Sequence, residues 1–311
     1  MSFLTGIVLL AIVTAVACAL PGVFVVLRKN SMLVDAMSHA VLPGIVVGYL
    51  FTRDLESPWL IIGAALAGLV VVLGSEWLGR TGLLTGDAPQ GVIFPALFSA
   101  GVILVSLNFA NIHLDTHAVL VGDLNLAAFH HLHIGGVSVG PAYLYVMLGV
   151  LAVNIAFLTA FYPKLKVTTF DPQFATSIGI RTQAVNTAFM FLVSVTVTAA
   201  FNAVGAILVI ALMIVPPATA YLVSRRLGMM LLLTVLIAGG GAWVGFWLAY
   251  ALDAATSAGM AVFYGLVFVA VLTFTRLPSD VGTGANSPGP EPERLVSGLG
   301  AVIATTVSLT R

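Results

Sequence analysis

FLTGIVLLAIVTAVACALPGVFVVL, residues 3–27, contains no charged side chain over its whole length. Crossing the hydrocarbon core of a bilayer takes about 20 apolar residues as a helix. The segment is therefore long enough to span, and it lacks the basic start of a secretory leader, so it is expected to be an uncleaved first span. Working outward, the same pattern recurs at about 32–51, 59–79, 91–109, 142–162, 183–201, 204–222, 229–251 and 256–275. The sixth and seventh stretches are separated only by Asn202-Ala203, which leaves eight or nine spans. These runs are continuous rather than alternating, which excludes a β-barrel.

Composition agrees. Of 311 residues, 60% are hydrophobic and only 8% charged, with a mean hydropathy of +1.11. A soluble domain carries about 25% charged residues to solvate its surface. Here the surface must face lipid, and the lipid bilayer is the first partner implied. The fold class expected is all-α, a polytopic helical membrane protein. Residues 1–276 form its transmembrane domain, and a Pro/Gly-rich flexible tail occupies 277–311. Within that tail Leu295–Leu309 is apolar but too short to span. A formal net charge of zero gives no basic arm for nucleic acid. The single cysteine, Cys18, permits no internal disulfide and argues against a thiolate metal cage.

Orientation follows from the basic residues. Arg28, Lys29, Arg80, Lys164, Lys166, Arg181, Arg225, Arg226 and Arg276 fall in alternate connections, and the opposite set holds only Arg53. The positive-inside rule makes the first set cytoplasmic and places the N-terminus outside.

Two segments carry chemistry. The second span opens SMLVDAMSHAVLPG, residues 31–44, with Asp35 and His39 four apart and hence on one helix face. Each ionisable group within a span costs at least about 2.5–3.5 kcal/mol. Carboxylate plus imidazole suits a divalent metal ion, though one of each is too few ligands unless a two-fold pair of chains doubles them. An Asp–His hydrogen bond that merely joins two helices is the alternative. Pro43 has no N–H for the carbonyl of His39, a pattern typical of interrupted spans that line polar cavities. The second segment, TFDPQFATSIGI at residues 169–180, is cytoplasmic by the charge rule. Asp171 suits an N-cap, Pro172 the first helical position and Gly179 the C-terminal stop. The short helix so delimited offers Phe174 and Ile178 as an apolar ridge, with small Ala175 and Ser177 permitting close approach by a partner. A plain connecting helix is the alternative reading.

These residues bring a family into view. The run LRKNSMLVDAMSHAVLPG (27–44), Gly86-Asp87-Ala88, DPQFATSIGI (171–180) and VGAILVIALMIVP (204–216) resemble the permeases of ATP-binding-cassette importers for manganese, zinc and iron. The resemblance covers roughly residues 1–276, in the family's order. It implies the fold of vitamin B12- and metal-type importer permeases and a location in the cell membrane. The implied partners are a second permease chain (identical or paralogous), two cytoplasmic ATPases and an extracellular metal-binding protein. It further implies that Asp35 and His39 serve metal passage and that Phe174–Ile180 is the coupling helix docking on the ATPase. The cargo expected is a divalent metal ion, manganese first, then zinc or iron, with no cofactor held permanently. The outer stretch HLDTHAVLVGD (113–123) looks more like the manganese-type branch. Its His113, Asp115, His117 and Asp123 are external candidates for contact with metal or with the binding protein, against a reading as solvated loop residues. The chain has no GxxxxGK[ST] phosphate loop, so no ATPase activity of its own is expected.

Three rival functions fit the residues less well. A gradient-driven secondary transporter would show inverted repeats and leaves residues 171–180 without a role. An intramembrane metalloprotease needs an HExxH-like pair, which is lacking. A permease for a metal chelate such as a siderophore shares the coupling segment, but the Asp35/His39 pair points to a bare ion.

Overall fold

A computed structural model describes residues 3–53, 59–84, 86–108, 131–134 and 137–276. The described residues up to Thr275 form one compact unit, and the expected tail 277–311 lies outside the described residues. The helices are α1 (Phe3–Leu27), α2 (Ser31–Thr52), α3 (Trp59–Arg80), α4 (Ala88–Asn108), α5 (Ala142–Phe170), α6 (Pro172–Ser177), α7 (Thr182–Val223), α8 (Leu227–Ala251) and α9 (Thr256–Arg276). All but α6 are long and apolar enough to cross a membrane. A small antiparallel hairpin, β1 (His131–Ile134) with β2 (Val137–Pro141), precedes α5.

The sixth and seventh apolar stretches are one 42-residue helix, α7, interrupted at Gly205 by φ 78°, ψ 168°. That backbone region is essentially reserved for glycine. The interruption reverses the chain. Phe189, near the start of α7, meets Phe24 of α1 with ring centroids 6.0 Å apart. Ala220, near its end, clusters with the adjacent Val23. A straight helix would separate residues 189 and 220 by about 46 Å. The two limbs therefore lie side by side, and among the described residues eight membrane-length helices supply nine apolar passages. An odd number puts the two ends of the helical body on opposite sides, as the basic residues require.

Backbone proximity at glycines dominates the packing around α2. A Cβ on Gly44 would fall 2.4 Å from the Cα of Ala64 and 2.7 Å from the carbonyl oxygen of Gly63 in α3. On an adjoining face, a Cβ on Gly101 of α4 would fall 2.6 Å from Pro43 Cβ. Small residues that let helix backbones touch are the usual device where lipid removes the hydrophobic driving force between helices. The expectation of an interrupted second span is corrected here: α2 runs unbroken through Pro43, whose ring fits the notch at Gly101. Deeper in the body, Asn154 of α5 donates to the carbonyl of Ala17 in α1 at 2.9 Å and accepts from Thr196 of α7 at 3.1 Å. A polar group in an apolar interior is thus satisfied across three helices.

Candidate functional site

α2 starts at Ser31, so Asp35 and His39 occupy its second and third turns, near the cytoplasmic end. His39 Nε2 lies 3.5 Å from Asp35 Oδ1, and the side chains are 30% and 40% exposed, respectively. Leu33, Val34, Ala36, Met37, Ser38 and Ala40 are buried, so α2 presents one open stripe and the pair stands on it. The His39 ring is flanked by two aromatics of α4, Phe94 at 5.0 Å and Phe98 at 6.0 Å between centroids. These fix the plane of the imidazole and leave its Nε2 edge to Asp35. Among the described residues no three His, Cys, Asp or Glu side chains come together as a metal cage. One chain therefore offers a carboxylate and an imidazole side by side on an open surface. His113, Asp115, His117 and Asp123 lie outside the described residues.

The cytoplasmic segment folds as its sequence suggests. Asp171 Oδ1 accepts from the Phe174 amide at 2.8 Å, with Pro172 at the first helical position. At the other end Gly179 has φ +82°. Its amide donates to the Thr176 carbonyl and that of Ile180 to the Ala175 carbonyl, both at 3.0 Å, the paired bonds of a Schellman stop. Phe174 and Ile178 are each 53% exposed, and Ser177 is exposed, its hydroxyl donating to the Phe174 carbonyl. Ala175 departs from expectation. It is fully buried, because the inward side of a six-residue helix must pack on its own protein to persist. Ala175 thus seats α6 on the body, and only Ser177 of the two small residues lies outward.

In the sequence Arg28 stands out only as one of the basic residues that set orientation. In the structure its guanidinium donates to Thr169 Oγ1, Asn186 Oδ1 and Thr168 Oγ1 at 2.9, 2.9 and 3.0 Å and lies 5.0 Å from the Phe189 ring centroid. Burial lowers it to about 10, so it stays charged at neutral pH. Asn186 and Gln183 donate in turn to Glu76 of α3 at 2.5 and 3.1 Å. No local motif announces this cluster, since its members come from four distant segments.

Eight membrane-length helices among the described residues, basic connections on one side and an ionisable pair on an open helix face define a multi-pass transport protein of the cell membrane. Residues 1–275 match the model of the ABC 3 transport family, and the chain belongs to that family. It is 44% identical over 269 residues to the zinc transport system membrane protein TroD of Treponema pallidum, covering 86% of this chain and 73% of that one. It is 38% identical over 275 residues to the manganese transport system membrane protein MntD of Bacillus subtilis, covering 88% and 93%. Among solved structures, PsaBC from Streptococcus pneumoniae in complex with Fab shares the fold, with a TM-score of 0.72, 24% identity and coverage of 88% and 91%.

Proposed function

We propose that this chain is the permease of a divalent metal importer. It works as one of two chains paired around a two-fold axis and admits manganese, or alternatively zinc or iron, to the cytoplasm. The observation that carries the reading is the Asp35–His39 pair, exposed on a helix whose flanking residues Val34, Ala36, Met37, Ser38 and Ala40 are buried. Facing lipid, a carboxylate at membrane depth would cost at least about 2.5–3.5 kcal/mol, so this stripe needs a protein or aqueous neighbour. A second copy across a two-fold axis brings two carboxylates and two imidazoles together. That mixed oxygen and nitrogen set suits first-row divalent ions, and closed two-fold pairing is the commonest oligomer. The zinc and manganese systems in which the relatives are named support this cargo class.

Transport by this chain needs energy from elsewhere. With no phosphate loop in the sequence, ATP hydrolysis belongs to separate cytoplasmic subunits. The exposed Phe174 and Ile178 ridge of α6 is the surface on which they press, and an extracellular metal-binding protein delivers the ion. The test uses the reconstituted complex in vesicles. Asp35→Ala or His39→Ala is expected to abolish manganese uptake with expression and assembly intact. Normal uptake by both variants removes the pathway from this site.

A further inference from the structure

The Arg28 cluster belongs neither to the open stripe of α2 nor to the exposed ridge of α6, yet it joins the roots of both. Thr168 and Thr169 form the last turn of α5, and Asp171, which caps α6, follows directly. Asn186 lies in the first turns of α7, into which α6 leads. One side chain thus grips the stems on both sides of α6. Both threonine hydroxyls donate to their own helix, Thr168 to Lys164 O at 2.9 Å and Thr169 to Leu165 O at 2.6 Å, leaving their lone pairs for Arg28. Three acceptors taken one each by Nε, Nη1 and Nη2 call for the guanidinium fork, which no lysine reproduces.

The connection from Arg28 to α2 has no slack. The amide of Lys29 donates to Val26 O and that of Asn30 to Val25 O, both at 3.0 Å, closing α1 with the same paired bonds that stop α6. Lys29 takes φ 58°, a left-handed conformation that costs a non-glycine residue roughly 1–2 kcal/mol. α2 starts two residues later, and Asp35 stands in its second turn. Beside Arg28 a cytoplasmic cavity of about 430 Å³ is lined by Lys29, Glu76, Arg80, Pro172 and Gln183 among others, giving the stem of α6 room to shift.

We propose that Arg28 is the positioning residue that carries displacement of α6 to the Asp35–His39 helix, with Asn186 and Glu76 holding the fork in register. Coupling between distant sites requires an element whose equilibrium both bias, and this is the rigid joint the two sites share. The inference rests on the reading of α6 as the ATPase-docking helix.

The experiment compares variants of the complete importer in vesicles, reading subunit association, basal ATP hydrolysis, its stimulation by metal-loaded binding protein, and manganese uptake. Arg28→Met is expected to keep the ATPase bound and basal hydrolysis near wild type. Stimulation and uptake fall by about tenfold, inside the 5–150-fold range of typical coupling. Arg28→Lys restores the charge but not the fork and is expected to stay impaired. Thr168→Val with Thr169→Val removes two acceptors at constant shape and decides the matter if Arg28→Met fails to assemble. Wild-type stimulation in Arg28→Met, or in the assembled threonine pair, overturns the proposal. Phe174→Arg runs alongside. If it is defective while the Arg28 and threonine variants are normal, only this inference falls; if it binds and transports normally, the docking reading falls with it.

Discussion

Substitution of Gly44 by alanine adds one methyl group at a place where α2 and α3 meet backbone to backbone. The new Cβ would lie 2.4 Å from Ala64 Cα, 2.7 Å from Gly63 O and 2.8 Å from Ala64 N. Carbon contacts are optimal at about 3.5–4.0 Å, so the helices must part by more than 1 Å, roughly the shortfall in that closest contact. No side chain can give way, since all three obstructing atoms are main chain. Nor can α2 shift freely, because Pro43, next in the chain, already occupies the notch at Gly101 of α4. Overpacking of this kind costs about 1–3 kcal/mol. The same substitution at Gly149 or Gly265, where a Cβ meets nothing within 4 Å, is expected to be neutral or stabilising by up to about 1 kcal/mol. The assay is the apparent melting midpoint of the purified permease, followed by gel filtration after heating, together with manganese uptake. Gly44→Ala should lower both, while the two control variants retain both. Equal melting midpoints for Gly44→Ala and Gly149→Ala would refute the claim that this crossing fixes the position of the Asp35–His39 helix.

Other outcomes follow from the same geometry. Gly205→Ala places a side chain at φ 78° and should cost about 1–3 kcal/mol, seen as a lower melting midpoint and reduced yield of folded protein; unchanged stability would show that the reversal tolerates any residue. Phe174→Arg with Ile178→Arg puts charge on the exposed ridge of α6 and should release the ATPase on gel filtration without lowering the permease's own melting midpoint, and co-elution at wild-type stoichiometry would count against the ridge. Native mass spectrometry of the complex should find two permease chains per two ATPases; one permease would contradict a shared ligand set. Asn154→Leu removes the bridge between Ala17 and Thr196 and should cost about 0.6–1.7 kcal/mol, the range for interhelical hydrogen bonds in membranes, measured as a fall in melting midpoint.

Most of the architecture was legible because lipid imposes it. A run of about 20 apolar residues has few alternatives to a spanning helix, and the limits of α1, α2 and α3 fall within a residue or so of the hydrophobic stretches. The cap of α6 was legible for a similar reason: Asp171, Pro172 and Gly179 act on their own backbone. What sequence could not give depends on contacts between distant segments. Nothing local distinguishes Ala175, which faces inward, from Ser177, which faces out. Arg28 shares its grip with residues more than 100 positions away. At Pro43, the absent amide suggested an interruption, but the neighbouring Gly101 gives the ring a seat and the helix continues. The break came instead at Gly205, three residues past Asn202, where the apolar run is interrupted only by Asn202-Ala203 and nothing local says that the chain reverses.

That turn bears on how the protein enters the membrane. Between Arg181 and Arg225 the sequence has no Asp, Glu, Lys, Arg or His, and the tip of the bent helix carries nothing more polar than Asn202. No charge has to be carried across as this segment inserts. Both limbs can enter together from the cytoplasmic side as a closed hairpin, with Arg181 and the Arg225-Arg226 pair held behind at the surface where they start. A single glycine thereby sets the sidedness of everything after it, since a straight limb would leave α8 and α9 threaded in the opposite sense.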